Sequence, residues 1–215
     1  MTKLLTQNSK MKKSGLGNIY NFGIPAFKSS TGLMTCPMAK ACAVGCYARS
    51  GAYLFSNVAK AYEYRLAQTL KADFKDQIQT EINKLVKKHK TVMIRIHDSG
   101  DFYNVEYVKK WFEIMQSNPS VSFYAYTKMI TLFESLKPEL PSNFKLIYSY
   151  GGKEDAKIKA TDRHSKVFET IEALKASGYV DTSSDDLMAL GSNPKIGLVY
   201  HGNKNFENTS WNKVG

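Results

Sequence analysis

From Ser56 to about Lys88 the apolar residues Val58, Tyr62, Leu66, Leu70, Phe74, Ile78, Ile82 and Leu85 recur mostly every fourth position, the spacing of one buried helix face. The stretch predicts one long helix or two abutting ones. Beyond it the rhythm changes: "TVMIRIH" (91–97), "VSFYAYT" (121–127), "FKLIYSY" (144–150) and "KIGLVYH" (195–201) are short runs of β-branched and aromatic residues that predict strands. An earlier strand candidate lies in "NIYNFGIPAF" (18–27). Helical patterns separate the later runs. Val105, Val108, Trp111, Phe112 and Met115 make one, and Val167, Phe168, Ile171 and Leu174 make another, closed by Gly178, with His164 at its entrance. A short helix is expected to open on a capping box at Thr131 and Glu134 and to end at Pro138. Strands alternating with helices imply parallel neighbours, because a parallel pair needs a helical crossover. The expected fold is therefore α/β, a partial (β/α) barrel with a mainly parallel sheet.

At 215 residues and 43% hydrophobic content the chain suits one core, so a single domain over 1–215 is expected. It divides into a loop-rich segment (1–34), a cysteine loop (35–51) and a β/α core (56–201). No apolar run reaches about 18 residues, and "MTKLLTQNSKMKKSGLG" has no secretory core. A cytoplasmic protein with no membrane partner is expected. The net charge of +11 admits a nucleic-acid partner, although many lysines sit on helical stretches such as "EINKLVKKHK", where they read as solvated faces, His89 among them.

In parallel α/β folds ligands gather at the carboxyl ends of the strands. Those ends are "HDSGDF" (97–102), "TKM" (127–129), "SYGGKED" (149–155) and "HGN" (201–203), all polar or glycine-rich. They supply the candidate binding residues His97, Ser99, Gly100, Asp101, Lys128, Gly151, Gly152 and His201. Asp101 also reads as a cap for the helix beginning near Asn104, Lys128 suits a carboxylate or phosphate, and Gly151–Gly152 either admit a nucleotide or make a turn. Tyr124, Tyr126, Tyr148 and Tyr150 alternate along two strands, which puts each pair on one side as a core or inner-barrel wall.

The chain has three cysteines, all in "TCPMAKACAVGCYARSG" (35–51). Cys36, Cys42 and Cys46 follow the pattern C-x5-C-x3-C. Three thiolates on one loop suit a 4Fe-4S cluster whose fourth iron stays open; zinc, with His97 or His201 completing the shell, and a metal-free loop are the other readings.

At these residues the chain resembles radical S-adenosylmethionine enzymes, which carry three cysteines in a barrel loop and a glycine-rich acidic turn after the second strand. Ser99, Gly100 and Asp101 are similar to that turn. The resemblance implies S-adenosylmethionine at the open iron, although the cysteine spacing is wider than the common C-x3-C-x2-C and Tyr47 follows the third cysteine. A closer resemblance, carried by "NSKMKKSGLGNIYNFGIPA", "TCPMAKACAVGCYARSG", "IRIHDSGDFYNVEYVKKW" and "FYAYTK", is to the phage and prophage gene product 88 domain family. It implies a phage-type protein in the host cytoplasm with a cysteine-ligated cluster. Two function classes follow: an iron-sulfur enzyme acting on a small ligand at the open iron, or a non-catalytic metal-binding accessory protein that contacts host nucleic acid or protein.

Overall fold

The computed structural model describes residues 2–8, 11–12, 18–183 and 186–200. Among these, seven strands form one sheet: β1 (Ile19–Phe22), β2 (Val92–Ile96), β3 (Val121–Thr127), β4 (Phe144–Ser149), β5 (His164–Phe168), β6 (Val180–Asp181) and β7 (Lys195–Val199). Their order is β1-β2-β3-β4-β5-β7-β6, every pair parallel, and the sheet curls into a half-barrel. The helices are α1 (Ala41–Val44), α2 (Ser56–Thr69), α3 (Phe74–Lys88), α4 (Val105–Gln116), α5 (Ile130–Ser135) and α6 (Ile171–Ala176).

Strand parity builds two apolar layers. On β2, Val92, Ile94 and Ile96 are buried under the helices, while Met93 and Arg95 face the other way. The helix-facing layer holds Phe22, Phe74, Trp111, Phe123 and Phe133, joined by edge-on aromatic contacts such as Phe22–Trp111 at 5.2 Å. The smaller concave layer holds Ile19, Tyr124, Ile147 and Ile196. Register carries this division across the sheet, Met93 lying beside Ile19 and Arg95 beside Tyr124. The tyrosines divide in the same way: Tyr124 and Tyr126 belong to the concave layer, whereas Tyr148 and Tyr150 pack with the helix-facing one.

Helix boundaries have local causes. Asn104 caps α4 by accepting the Tyr107 N–H at 2.8 Å, and the helix then buries Val108, Trp111, Phe112 and Met115. The 56–88 pattern resolves into two helices. At the break, Lys110 Nζ donates to the carbonyls of Thr69 (2.7 Å) and Lys71 (3.3 Å), satisfying groups that a helix end leaves open.

Three sequence expectations need correction. His164 opens strand β5 instead of a helix, because its segment pairs with β4 on one side and β7 on the other; the helix starts only at Ile171, capped by Thr170. Thr131 and Glu134 make no capping box. Met129 is the N-cap of α5, the Thr131 N–H goes to Glu154 at 3.0 Å, and Glu134 accepts from the Tyr148 hydroxyl at 2.7 Å. His89 is half-buried against the Tyr20 hydroxyl (3.0 Å) and is not a freely solvated side chain. No helix among the described residues is long and apolar enough to cross a membrane.

Candidate functional site

The concave face opens at the carboxyl ends of the strands into a cavity of about 450 Å³. Side chains from four strands form its walls: Arg95, Tyr126, Ser149 and Val167, with Leu198 from a fifth. Cys36, Cys42 and Cys46 border it from the cysteine loop, and Asp98, Ser99, Gly100 and Asp101 border it from the loop after β2.

The cysteine loop is tied to the rim by backbone bonds. Gly151, in a left-handed conformation (φ 98°), offers its carbonyl to the N–H groups of Lys40 and Cys42, both at 3.0 Å. The Asp155 carboxylate in turn accepts the N–H groups of Gly151 and Gly152 at 2.8 Å each. A side chain at Gly152 would put its Cβ 3.0 Å from the Met38 carbonyl oxygen and 3.1 Å from Lys128 Cβ. The two glycines thus act as the clamp that seats α1 and Cys42 over the cavity.

Asp101 holds the β2 loop to the end of β3. Its Oδ1 accepts from Thr127 Oγ1 and from the Phe102 N–H, both at 2.7 Å, and its Oδ2 accepts from the Lys128 N–H at 2.9 Å. Its own N–H donates to the Thr35 carbonyl at 2.9 Å, which brings the segment preceding Cys36 to the same point. Burial raises its pKa despite these donors. Gly100 (φ 83°) allows the tight approach, since a Cβ there would sit 2.3 Å from Ile24 Cγ1. The Ser99 carbonyl accepts from the Ile24 N–H at 3.0 Å. His97 also has a left-handed backbone (φ 67°), and its ring packs on Phe102 at 4.7 Å and bonds the Tyr107 hydroxyl at 2.9 Å through Nε2. Burial, helped by the nearby Arg95 charge, holds its pKa down to about 3, so the imidazole is neutral.

Sequence reasoning did not single out a second cluster, around Arg95 and Asp98. Arg95 is a cation inside a strand at a concave position; it lies over the Tyr126 ring (5.3 Å) and pairs with Asp186 at 3.4 Å. Asp98 Oδ2 accepts from the Tyr62 hydroxyl at 2.8 Å, and the Tyr47 hydroxyl donates to the Asp98 carbonyl. Tyr47, Tyr53 and Tyr62 pack in series, with ring centres 5.7 and 5.6 Å apart. Gly23 leaves room for this carboxylate: a Cβ there would fall 2.0 Å from Asp98 Oδ1. The available signal was strand parity, which puts a charged residue at position 95 on the lumen side.

The three thiols differ in state. Burial and the Asp101 field push the Cys36 thiol up to about 12, although the Phe27 N–H donates to its sulfur at 3.3 Å. A hydrogen bond from Cys46, supported by Lys128, overcomes burial and lowers the Cys42 thiol to about 6. Cys46, as the donor of that bond and also buried, is shifted well above the ordinary thiol range. Lys128 donates from Nζ to Ser149 Oγ at 2.8 Å. Burial works against its charge, but the Cys42 sulfur and Asp101 carboxylate outweigh it and raise its pKa.

This arrangement overturns the expected 4Fe-4S protein, and with it the metal-binding accessory alternative. Among the described residues, no group of three or more His, Cys, Asp or Glu side chains is disposed to hold a metal ion. The three cysteines stand close along the chain, but their side chains and the neighbouring His, Asp and Glu side chains do not converge on one point as a ligand set must. Cluster-based radical chemistry loses its premise for the same reason. Of the binding candidates, Ser99, Gly100, Asp101 and Lys128 meet at one rim with the three cysteines, Gly151 and Gly152 support that rim, and the His97 ring packs beside it. His201 lies outside the described residues.

Comparison with known proteins agrees with the motif resemblance. The chain is 28% identical over 144 residues to the Gene 88 protein of Mycobacterium phage L5, covering 63% of this chain and 57% of that protein. The same figures hold for the Gene 88 protein of Mycobacterium phage D29. The match thus spans somewhat over half the length of these relatives. No solved structure matches. The Gene product 88 family model matches residues 2–210, nearly the whole chain, and the protein therefore belongs to the Gene product 88 family.

Proposed function

We propose that the protein binds a small, positively charged molecule in the concave cavity beneath Cys42, and that S-adenosylmethionine is that ligand. The observation that carries the reading is the charge make-up of the site. Arg95 and Lys128 line the cavity together with the carboxylates of Asp98 and Asp101 and the low-pKa sulfur of Cys42, and Arg95 also pairs with Asp186, so acidic groups about the site outnumber the two cations. A lining with more acidic than basic groups favours a cationic guest. The volume of about 450 Å³ suits a nucleoside-sized molecule, and the position at the strand ends is where parallel folds hold their ligands. S-adenosylmethionine has that size and a sulfonium charge. No iron is part of this reading.

Calorimetric titration with S-adenosylmethionine and with its uncharged thioether, S-adenosylhomocysteine, tests it. The sulfonium form should bind at least about tenfold tighter, a difference of about 1.4 kcal/mol, well within one Coulombic contact at about 4 Å in a site of intermediate polarity. Equal affinity, or no heat from either, would sink the proposal. The net charge of +11 supports a second reading outside the cavity, contact with nucleic acid in the host cytoplasm. It calls for binding of an oligonucleotide that weakens steeply between 50 and 200 mM salt, about a thousandfold for six phosphate contacts; salt-insensitive or absent binding removes it.

A further inference from the structure

Cys42 and Cys46 stand four residues apart on one tight turn. Cys42 lies in α1, the Gly45 N–H closes that turn on the Ala41 carbonyl at 3.3 Å, and Cys46 leads into the 3₁₀ turn Tyr47–Arg49. Both border the cavity, and all three cysteines are free. Cys46 lies just past the helix end with extended backbone (φ −70°, ψ 115°), and a disulfide forms when the turn brings the two Cα atoms within about 7 Å. Val44, between the two, is 70% exposed, so the turn can adjust without disturbing a packed core. Cys36 differs: its sulfur accepts at 3.3 Å from the N–H of Phe27, a residue with left-handed backbone (φ 66°).

We propose that Cys42 and Cys46 form a dithiol that reduces small-molecule disulfides entering the cavity, with Cys42 as the attacking sulfur and Cys46 as the resolving one. In the first step the Cys42 thiolate attacks one sulfur of the disulfide RS–SR. The S–S bond breaks, one RS⁻ leaves and takes a proton from solvent, and a mixed disulfide remains on Cys42. In the second step Cys46 gives up its proton and attacks the Cys42 sulfur; the Cys42–Cys46 bond forms and the second RS⁻ leaves and is protonated. Two electrons pass from the dithiol to the substrate, giving one protein disulfide and two RSH. Lys128 supports the first step by holding positive charge beside Cys42. The proposal shares the cavity with the ligand reading without depending on the ligand's identity, and its readout is a mass, not a binding heat.

Glutathione disulfide is the probe, applied to the reduced full chain, followed by alkylation and trypsin digestion. Cleavage after Lys40 and Arg49 releases residues 41–49, which hold Cys42 and Cys46, and cleavage after Lys28 and Lys40 releases residues 29–40, which hold Cys36. The expected product is peptide 41–49 about two mass units below its dithiol form and without alkyl groups, with peptide 29–40 fully alkylated. Cys46→Ser should stop at the mixed disulfide on Cys42. Three results would overturn the proposal in the wild-type protein alone, whether or not the variant folds: a glutathione adduct that persists on Cys42, a cross-link joining peptides 29–40 and 41–49, or peptide 41–49 remaining fully alkylated.

Discussion

Replacing Asp101 by asparagine tests the reasoning about the rim, because the change keeps shape and removes one acceptor. In the wild type three donors reach the carboxylate at 2.7, 2.7 and 2.9 Å, two of them backbone N–H groups. An asparagine can present its single oxygen to Thr127 and Phe102, but its NH₂ then faces the Lys128 N–H; flipped, it leaves the Phe102 N–H facing a donor instead. Either way one buried backbone donor loses a charged partner, a loss of about 1.5–3 kcal/mol, with a further penalty for a group left unsatisfied. Relief of the buried charge offsets part of this, since burial already raises the Asp101 pKa. The expected net loss is about 2–4 kcal/mol, or roughly 4–16 °C in Tm for a chain of this size. Scanning calorimetry reads the stability. A second readout moves independently: Asp101 raises the Cys42 pKa, so the Asp101→Asn thiol should titrate lower than the wild type. A Tm within about 2 °C of wild type, or a Cys42 pKa that rises, would refute the geometry of the rim as described.

The rate of Cys42 alkylation by iodoacetamide should rise with pH around a midpoint near 6 and shift upward in Cys46→Ala, which removes the hydrogen bond holding the thiolate; an unshifted profile would separate the two sulfurs. Gly100→Ala should destabilise by about 1–3 kcal/mol in urea melts, since the residue has φ 83° and the new methyl would meet Ile24 at 2.3 Å. His97 has a folded-state pKa near 3, below its ordinary 6.5, so the unfolded chain binds more protons as pH falls from 6.5 toward 3. Stability is fully present above 6.5 and declines below it by up to about 1.4 kcal/mol per pH unit, and His97→Gln should flatten that slope in urea melts taken at pH 6.5 and 5.

Four of the later strands and the parallel topology were visible because each central strand is a dense apolar run between helical patterns. β5 was hidden: "HSKVF" mixes polar and apolar residues, and its Val167 and Phe168 continue at helical spacing into Ile171 and Leu174. β6, only two residues long, has no sequence signal. At the site, the strand-end rule found the correct rim, yet the roles differ from those the residue types suggest. Asp101, with both oxygens occupied, fixes architecture, and Gly151–Gly152 clamp the cysteine loop. Tyr62 was read from periodicity as a core residue, although its hydroxyl serves Asp98. Three clustered thiols suggested a metal because spacing shows proximity along the chain. Spacing does not show whether the side chains converge as a ligand set, and here they do not.

Protection of Cys42 tests the cavity-ligand proposal most directly. Alkylation of peptide 41–49 would be followed at pH 7, with and without saturating S-adenosylmethionine. A ligand seated beneath the sulfur should slow Cys42 modification at least about tenfold while leaving the modification of an unfolded control unchanged. Cys42 modified at the same rate with and without the ligand would contradict the placement of any such molecule in this cavity.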